Sequence, residues 1–377
     1  MTKQVFPGLE GVAIAESSIS FVDGQKSRLE YRGIGIDELG EHSHFEEVCL
    51  LLLNGSLPGQ KELDEFRAKL VDARALKGGV IDLIKCLPKE GHPMDALQAA
   101  VAAVGMFYPG RHGMTPAEQR DSCVRLIAKI PTILAAFQRM RQGDDPIPPG
   151  DDLSHAANFM YMLTGEVPDE FTERTLDVAL VLHADHTMNA STFAGRVVGS
   201  TLADPYCVVS SALGALSGPL HGGANEEVLK LLQAIGTIEN VRPTIERMIA
   251  NKEKIMGFGH RVYKTMDPRA VILKQRAAQL AQRSGNPLFP LAVEVEKVVI
   301  EHYGAKGIWP NVDFYSGLVY SEMGIPPDCF TPVFAIARVA GWLAHWLEQL
   351  DGNRIYRPTQ VYTGPHEQPY VPIEQRR

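Results

Sequence analysis

"TPVFAIARVAGWLAHWLEQLDG", residues 331–352, has the pattern of a long buried α-helix and sets the fold class. It opens on Thr331 and a proline, which are typical of a helix start, and it ends at Gly352, which is typical of the position after a helix. Its apolar window, 333–347, is too short to span a bilayer and contains an arginine and a histidine. We therefore predict a helix that is buried in the core of a soluble protein rather than in a membrane.

The same start and stop signals recur along most of the chain. Thr115, followed by proline, and Glu118 predict a helix that begins with a capping box and is kinked at Pro131. A second helix is predicted to start at Asn225, with two acids in its first turn, and to stop at Gly236. Helix is therefore the dominant structure.

Strand signals are confined to residues 11–36, where Asp23-Gly24 predicts a β-hairpin. Strands and helices do not alternate, which excludes a parallel-sheet fold. Residues 141–152 form a polar loop rich in Pro and Gly, and 363–377 are predicted to be an extended tail. The predicted fold is all-α with a small N-terminal β-hairpin.

Composition excludes several classes of function. The 377 residues exceed what one hydrophobic core usually serves, so we expect two domains. The net charge of −8 argues against nucleic acid or an anionic membrane as the main partner. The N-terminus shows no signal-peptide pattern, and the five cysteines are scattered without a C-x-x-C pair, so we expect a reducing cytoplasm.

Three histidine sites depart from the helical pattern. "LHADH" places His183 and His186 three residues apart, on one predicted helix face. His221 in "GPLHGGAN" and His260 in "GFGH" lie beside glycines, which permit close backbone approach to a ligand. Each histidine alone could equally be a satisfied structural residue.

Two ligand classes fit these sites poorly. Zinc motifs on helices usually place histidines four apart with a glutamate between, whereas His183 and His186 are three apart beside Asp185, so no metal site is predicted. The Gly-Phe-Gly before His260 lacks both the third glycine and the preceding strand of a dinucleotide-binding motif.

Cations cluster after His260, in "MGFGHRVYKTMDPRA", residues 256–270. Lys264 and Arg269 lie there, and Asp267, followed by proline, predicts a helix start whose N–H groups favour an anion. Arg338 lies inside the apolar 333–347 window, where a charge is costly unless it is paired. It could pair with a core carboxylate, but together the two guanidinium groups indicate a dicarboxylate ligand.

Asp313, in "WPNVDFYSG", is the candidate general base. A helix start would favour its charged form, while the aromatic neighbours would remove water from it. A simple helix-capping role is the alternative.

These motifs together resemble the citrate synthase family, in the family's order and spacing. The segments are "LHADH", "NASTFAGRVVGS", "GPLHGGANEEV", "MGFGHRVYKTMDPRA", "NVDFYSG" and "ARVAGW". The resemblance extends from about residue 31 to 365, and the short form with "GFGHRVYK" is similar to the bacterial and archaeal type. It implies a large helical domain, 1–223 and 323–377, and an inserted small domain, 224–322, that closes over a cleft. It also implies a homodimer with shared active sites.

The resemblance implies a reaction and a role for each site residue. Acetyl-CoA would condense with oxaloacetate, and the citryl-CoA thioester would be hydrolysed. Asp313 would remove a methyl proton, His221 would donate to the thioester oxygen, and His260 would polarise the ketone. The implied oxaloacetate ligands are His186, Asn189, Arg269, Arg338 and Arg357. The implied CoA-binding residues are Lys254, Ile255, Met256, Gly257, Phe258, Gly259 and Lys264. No metal or permanently bound cofactor is implied.

Two alternatives stay open at this stage. One is 2-methylcitrate synthase, which takes propionyl-CoA, because one methylene is worth only about 1–3 kcal/mol of discrimination. The other is a non-catalytic helical scaffold, which loss of Asp313, His221 or His260 would have favoured.

Overall fold

The computed structural model describes residues 4–108 and 113–376, and in these ranges helix is the dominant secondary structure. The helices are α1 (Ile36–His42), α2 (Phe45–Asn54), α3 (Gln60–Ala73), α4 (Gly78–Cys86), α5 (Pro93–Met106), α6 (Pro116–Gln142), α7 (His155–Thr164), α8 (Glu170–His183), α9 (Ala190–Gly199), α10 (Pro205–Leu216), α11 (Ala224–Ile235), α12 (Ile238–Ala250), α13 (Pro268–Ser284), α14 (Leu288–Tyr303), α15 (Val312–Glu322) and α16 (Phe330–Leu350). Short 3-10 helices cover Pro7–Leu9, Gly304–Lys306, Pro327–Cys329 and Ile373–Gln375. The predicted all-α class is confirmed.

The N-terminal sheet has three antiparallel strands in the order β1 (Ser20–Asp23), β2 (Arg28–Tyr31) and β3 (Ile34–Gly35). The predicted hairpin is confirmed, because Asp23 pairs with Arg28 across a four-residue turn. The prediction missed β3, since a two-residue strand carries no alternating pattern.

Local capping explains where several helices begin. Thr115 forms the predicted capping box, its side chain accepting from the N–H of Glu118. Asp267 caps α13 as predicted, accepting from the N–H of Arg269 at 3.0 Å. Residues 116–142 remain one helix through Pro131.

Three predicted boundaries were wrong. Helix α16 begins at Phe330, and the hydroxyl of Thr331 accepts instead from the N–H of Gly223, at 3.0 Å. Helix α11 begins at Ala224, with Gly223 at its cap, rather than at Asn225. Helix α8 ends at His183, so that His186 lies in the following loop and not on the same helix face.

Helix α16 is the centre of the packing. It contacts α2, α5, α6, α8, α9 and α10, and most of its residues are buried. Helices α11 to α15 form a second group, in which α15 packs on α11 and α13, and α12 packs on α14. None of the described helices is both long and apolar enough to cross a membrane.

The N-terminal sheet fastens two segments that carry predicted site residues. The Tyr31 hydroxyl donates to the Asp185 carbonyl at 2.9 Å, beside His186. The Gly24 carbonyl in the hairpin turn accepts from the N–H of Lys264, at 3.0 Å, shortly after His260. The sheet is therefore part of the scaffold of the site.

Candidate active site

A cavity of about 500 Å³ opens between the helices around α16 and the second group. Segments far apart in sequence line it: the loops before α9, α11 and α13, and the first turns of α13 and α15. The predicted site residues that line it are His186, Asn189, His221, Lys254, Gly259, His260, Arg269, Asp313 and Arg338. The structure thus brings most of the predicted site together.

His260 is held so that one ring nitrogen can donate into the cavity. Its Nδ1 accepts the N–H groups of Val262 and Tyr263, at 3.0 and 3.2 Å. Burial, followed by the charge of Arg269, lowers the pKa of His260 to about 4, so the ring is neutral at pH 7. The hydrogen of the neutral ring must then sit on Nε2, which makes Nε2 a donor.

His186 lies against His260. Their ring centroids are 5.2 Å apart, and His186 Nε2 is 3.3 Å from the Tyr263 hydroxyl. Burial, with Arg269 and His260 adding to it, lowers the pKa of His186 well below its usual value. The two imidazoles are therefore a pair of neutral polar groups in a positively charged environment.

His221 is fixed through its other nitrogen. The Ser191 N–H donates to His221 Nε2 at 3.2 Å, so the hydrogen of a neutral ring sits on Nδ1. Burial, and then Arg338, lowers its pKa to about 4. Trp342 Nε1 donates to the Ser191 hydroxyl at 3.1 Å and holds this serine from α16. His221 can therefore present an N–H donor that does not need to be charged.

Asp313 is the carboxylate of the cavity. It lies in the first turn of α15, where its N–H donates to the cap residue Asn311 at 3.0 Å. Burial raises its pKa to about 6, and the attraction of Arg269 offsets only part of this effect. A carboxylate with this pKa is ionised at pH 7 yet basic enough to accept a proton.

Arg338 is buried, as the sequence predicted, but no carboxylate of the described residues is bound to its fork. Its Nε donates to the His183 carbonyl at 2.7 Å, and its guanidinium lies 4.4 Å from the ring centre of Phe334. Burial lowers its pKa to about 10, which leaves it charged at pH 7. Within residues 4–108 and 113–376, its two terminal nitrogens form no hydrogen bond, so they can receive a carboxylate.

Arg269 differs in part from the prediction that its guanidinium fork faces a ligand. Its Nε and one terminal nitrogen donate to the two carboxylate oxygens of Asp267, at 3.0 and 2.8 Å. Burial alone would lower its pKa, but Asp267, with smaller contributions from Tyr263 and Tyr31, raises it overall. The fork expected to face a ligand is therefore largely engaged by the helix cap, which leaves the other terminal nitrogen for the cavity.

The loop before His260 is tied to the start of α15. Gly259 N–H donates to the Trp309 carbonyl, and Asn311 N–H donates to the Gly257 carbonyl, both at 2.9 Å. Gly257 has φ +81°, and a Cβ there would lie 2.6 Å from a methyl group of Val228. Only glycine allows this approach, which fixes the distance between the segments that carry His260 and Asp313.

Six predicted residues do not line this cavity. Ile255 and Phe258 are buried in the core, and Lys264 is exposed outside the cavity. Met256 packs against the core, and Gly257 is buried within the loop. Arg357 is exposed, and its terminal nitrogen donates to the Pro358 carbonyl at 2.8 Å.

Sequence reasoning missed several cavity residues. Asn225 is buried at the start of α11, and Phe334 and Thr331 line the cavity from α16. Asn225 directly follows the "HGGA" segment, which was a usable signal. An apolar residue such as Phe334 gives no such signal, because its role depends on its packing against Arg338.

A larger cavity, of about 670 Å³, lies between α2, α3 and α8. It contains none of the predicted site residues, and two of its three arginines already have partners in the protein. Arg74 donates to the Gly150 and Leu153 carbonyls, and Arg174 donates to Asp177. The smaller cavity, with neutral donors and a basic carboxylate, is therefore the better candidate for catalysis.

A zinc interpretation gains no geometric support. His183 is fully buried outside the cavity, its Nδ1–H donating to the Ala179 carbonyl at 2.7 Å. Over the described ranges, no group of three or more His, Cys, Asp or Glu side chains is arranged to hold a metal ion.

The chain is similar in sequence to known citrate synthases. The family model described as "Citrate synthase, C-terminal domain" matches residues 8–359. The chain is 58% identical to a citrate synthase of Synechocystis sp. over 98% of this chain and 93% of that one. It is 53% identical to a citrate synthase of Acidithiobacillus ferridurans over 98% of both chains.

Two solved structures resemble the whole chain. Citrate synthase from Pyrobaculum aerophilum matches with a TM-score of 0.94 and 43% identity, over 99% of this chain and 95% of that one. The ternary complex of carboxymethyl coenzyme A and oxaloacetate with citrate synthase from Thermoplasma acidophilum matches with a TM-score of 0.95 and 34% identity, over the full length of both.

The fold and the cavity define an all-α acyltransferase with neutral imidazole donors, one basic carboxylate and buried guanidinium groups. The chain belongs to the citrate synthase family.

Proposed function

We propose that this chain condenses acetyl-CoA with oxaloacetate and water to give citrate and CoA, in the cavity around Asp313. The observation that carries the proposal is one cavity with a carboxylate of pKa about 6 and two neutral histidines, His221 and His260, that can donate. A relative of the same fold binds oxaloacetate and a carboxymethyl analogue of coenzyme A. The reaction is the first step of the tricarboxylic acid cycle.

Oxaloacetate has two carboxylates, and we assign them to the guanidinium groups. Arg338 has both terminal nitrogens available, and Arg269 has one. His186 and Asn189 line the same part of the cavity and complete the predicted oxaloacetate set. Buried guanidinium groups bind carboxylates strongly because little water competes there.

Asp313 and His221 together form the enol of acetyl-CoA. Asp313 takes a methyl proton, and the charge that develops on the thioester oxygen meets the Nδ1–H of His221. A neutral donor suits this step, since a hydrogen bond that strengthens as charge develops stabilises the transition state more than the bound substrate.

His260 acts on the second substrate. Its Nε2–H donates to the ketone oxygen of oxaloacetate and makes the carbonyl carbon more electrophilic, and the new alkoxide then takes that proton. Water finally attacks the citryl-CoA thioester, the carbon–sulfur bond breaks, and a proton from the water goes to the sulfur of the departing CoA. The proton taken by Asp313 returns to His260, which restores both groups. The donors and guanidinium groups stabilise the charge at each stage, and we propose no metal or permanent cofactor. Full activity after dialysis against EDTA would agree with this, and activity restored by added zinc would contradict it.

CoA is assigned to the loop from Lys254 to Gly259 and to Lys264. Lys254 lies at the cavity and is exposed, and Lys264 is exposed nearby in sequence. Both can meet phosphate groups without the cost of burying a charge. Ile255, Met256 and Phe258 would shape the loop through the core rather than contact CoA directly.

We propose that α11 to α15, residues 224–322, form a small domain that closes on the large domain, 1–223 and 323–377. The helices of this group pack mainly on one another, and the cavity lies where they meet α16. Closure would exclude water from the enol. The four terminal residues 1–3 and 377 of these ranges lie outside the described part of the chain.

The protein is proposed to act as a homodimer in the cytoplasm. Arg357, exposed and away from its own cavity, would reach a substrate carboxylate in the partner's cleft. The described structure has all five cysteines as thiols, which suits a reducing compartment.

Rates of CoA release with acetyl-CoA and with propionyl-CoA test the proposed substrate. We expect a kcat/KM at least tenfold higher for acetyl-CoA, about the discrimination available from one methylene. The named relatives are citrate synthases, and nothing favours the propionyl-CoA alternative or a non-catalytic scaffold. A preference for propionyl-CoA, or no CoA release with either thioester, would contradict the proposal.

A further inference from the structure

Residues 183–185, which lead to His186, are held by contacts with one face of α16. Arg338 Nε donates to the His183 carbonyl at 2.7 Å, and Gly341 N–H donates to the Ala184 carbonyl at 3.1 Å. A Cβ on Gly341 would lie 2.4 Å from that carbonyl oxygen, so glycine is needed for the approach. Two successive residues at the end of α8 are thus each bound by a residue of α16.

The next contact in this series is between a buried histidine and a buried carboxylate. Asp185 Oδ1 lies 3.3 Å from His345 Nε2, and both side chains are almost completely buried. His345 is four residues beyond Gly341, on the same helix face. Its Nδ1 lies 3.3 Å from a terminal nitrogen of Arg196, which can only donate, so the hydrogen of a neutral ring sits on Nε2, the nitrogen next to Asp185.

The other oxygen of Asp185 holds a strained backbone. Thr187 has φ +50°, which is unusual for a β-branched residue and persists only where its surroundings enforce it. Its N–H donates to Asp185 Oδ2 at 3.1 Å and to the Ser20 hydroxyl at 3.0 Å. Ser20 in turn donates to the same carboxylate oxygen. Thr187 lines the cavity directly after His186.

We infer that Asp185, held by His345 and Ser20, is a positioning residue that keeps the strained turn at Thr187 and thereby directs His186 at oxaloacetate. The inference rests on the proposed role of His186 as an oxaloacetate ligand. The side chains of Asp185, His345 and Ser20 do not line the cavity, so they act through the backbone at Thr187. A purely structural contact between Asp185 and His345 would affect stability but not the affinity for oxaloacetate.

Two matched substitutions separate positioning from stability. His345→Gln breaks the pair with Asp185, and His155→Gln makes the same change at an equally buried histidine in α7 that does not contact the loop. Both should lower the unfolding temperature. Only His345→Gln should raise the Kd of oxaloacetate, by about tenfold, as for loss of a group that orients a ligand-binding side chain. Calorimetry measures the Kd, and kcat at saturating oxaloacetate should change far less.

Ser20→Ala provides a second variant in case His345→Gln does not fold. Ser20 is half-buried at the edge of the sheet, so its removal should leave the fold intact and raise the Kd of oxaloacetate in the same direction. In a Thr187→Gly background, where the positive φ costs little, Ser20→Ala should have a smaller effect. Equal effects in the two backgrounds would contradict the role of strain.

The result that overturns the inference is a wild-type Kd in Ser20→Ala and in folded His345→Gln, while His186→Ala binds oxaloacetate weakly. In that case the pair is structural and the proposed site stands. If His186→Ala also keeps the wild-type Kd, the assignment of His186 itself has failed. Calorimetry on these three variants therefore distinguishes the two failures.

Discussion

Replacing Asp313 by Asn should remove activity and stabilise the fold at the same time. An amide has nearly the shape of the carboxyl group, so packing in the first turn of α15 is kept. It cannot accept the methyl proton, so kcat should fall by several orders of magnitude. The amide also carries no charge, so its burial avoids the free-energy cost of burying a carboxylate, and the fold should become more stable.

The magnitude follows from the pKa of Asp313. Burial raises that pKa from 3.8 to about 6, a difference of about 2 pH units, and each unit corresponds to about 1.36 kcal/mol. Well below pH 4 the carboxyl is protonated in both the folded and the unfolded chain, and there is no penalty. Between pH 4 and 6 the unfolded chain ionises first, so stability falls as the pH rises. Above pH 6 the full penalty, at most about 3 kcal/mol, remains.

Urea unfolding of both proteins at pH 7 and pH 4 measures this effect. We expect Asp313→Asn to have the higher free energy of unfolding at pH 7, by roughly 1–3 kcal/mol, and to differ from the wild type by less than about 1 kcal/mol at pH 4. The same variant of Asp328, which pairs with Arg141 at the surface, is the control and should not gain stability at pH 7. A variant of Asp313 less stable than the wild type at pH 7 would refute the desolvation argument.

Three further predictions concern the same cavity. His221→Ala should slow enolisation and His260→Ala condensation, each by roughly 10²-fold or more, and near wild-type kcat in either would make that histidine structural. Between about pH 4 and pH 6 the logarithm of kcat/KM should rise with unit slope, and above pH 6 it should level, because Asp313 ionises near pH 6 while both histidines, with pKa about 4, stay neutral. A profile governed by a group with a pKa above 7 would contradict this. Mixing Arg357→Ala chains with Asp313→Asn chains should restore activity, because one site of the hybrid dimer has neither lesion, and no recovery in a sample shown to contain hybrids would place Arg357 in its own site or in none.

Local signals predicted those parts of the fold that depend on neighbours in sequence. The caps at Thr115 and Asp267 are contacts between residues two or three apart, so the sequence contains everything that forms them. The burial of Arg338 was also predictable, since apolar residues surround it on both sides in sequence. The hairpin at Asp23 follows from its turn.

What the sequence could not show depends on partners far away in the chain. Helix α8 ends before His186 where Tyr31, in the N-terminal sheet, binds the carbonyls of Leu182 and Asp185. The engagement of Arg269 by Asp267 is local, but nothing in the sequence says whether the guanidinium turns to the cap or to the cavity. Such choices are decided by tertiary packing, which also determines which predicted residues share one cavity.

Exchange of the acetyl-CoA methyl hydrogens with solvent deuterium tests the central claim most directly, because it reports proton removal without condensation. The exchange is followed by mass spectrometry in the presence of a dicarboxylate analogue of oxaloacetate that lacks the ketone. We predict that the wild type exchanges the methyl hydrogens and that Asp313→Asn does so slower by several orders of magnitude, while it still binds the analogue. Exchange by Asp313→Asn at the wild-type rate would show that another group removes the proton, and would contradict the proposed mechanism.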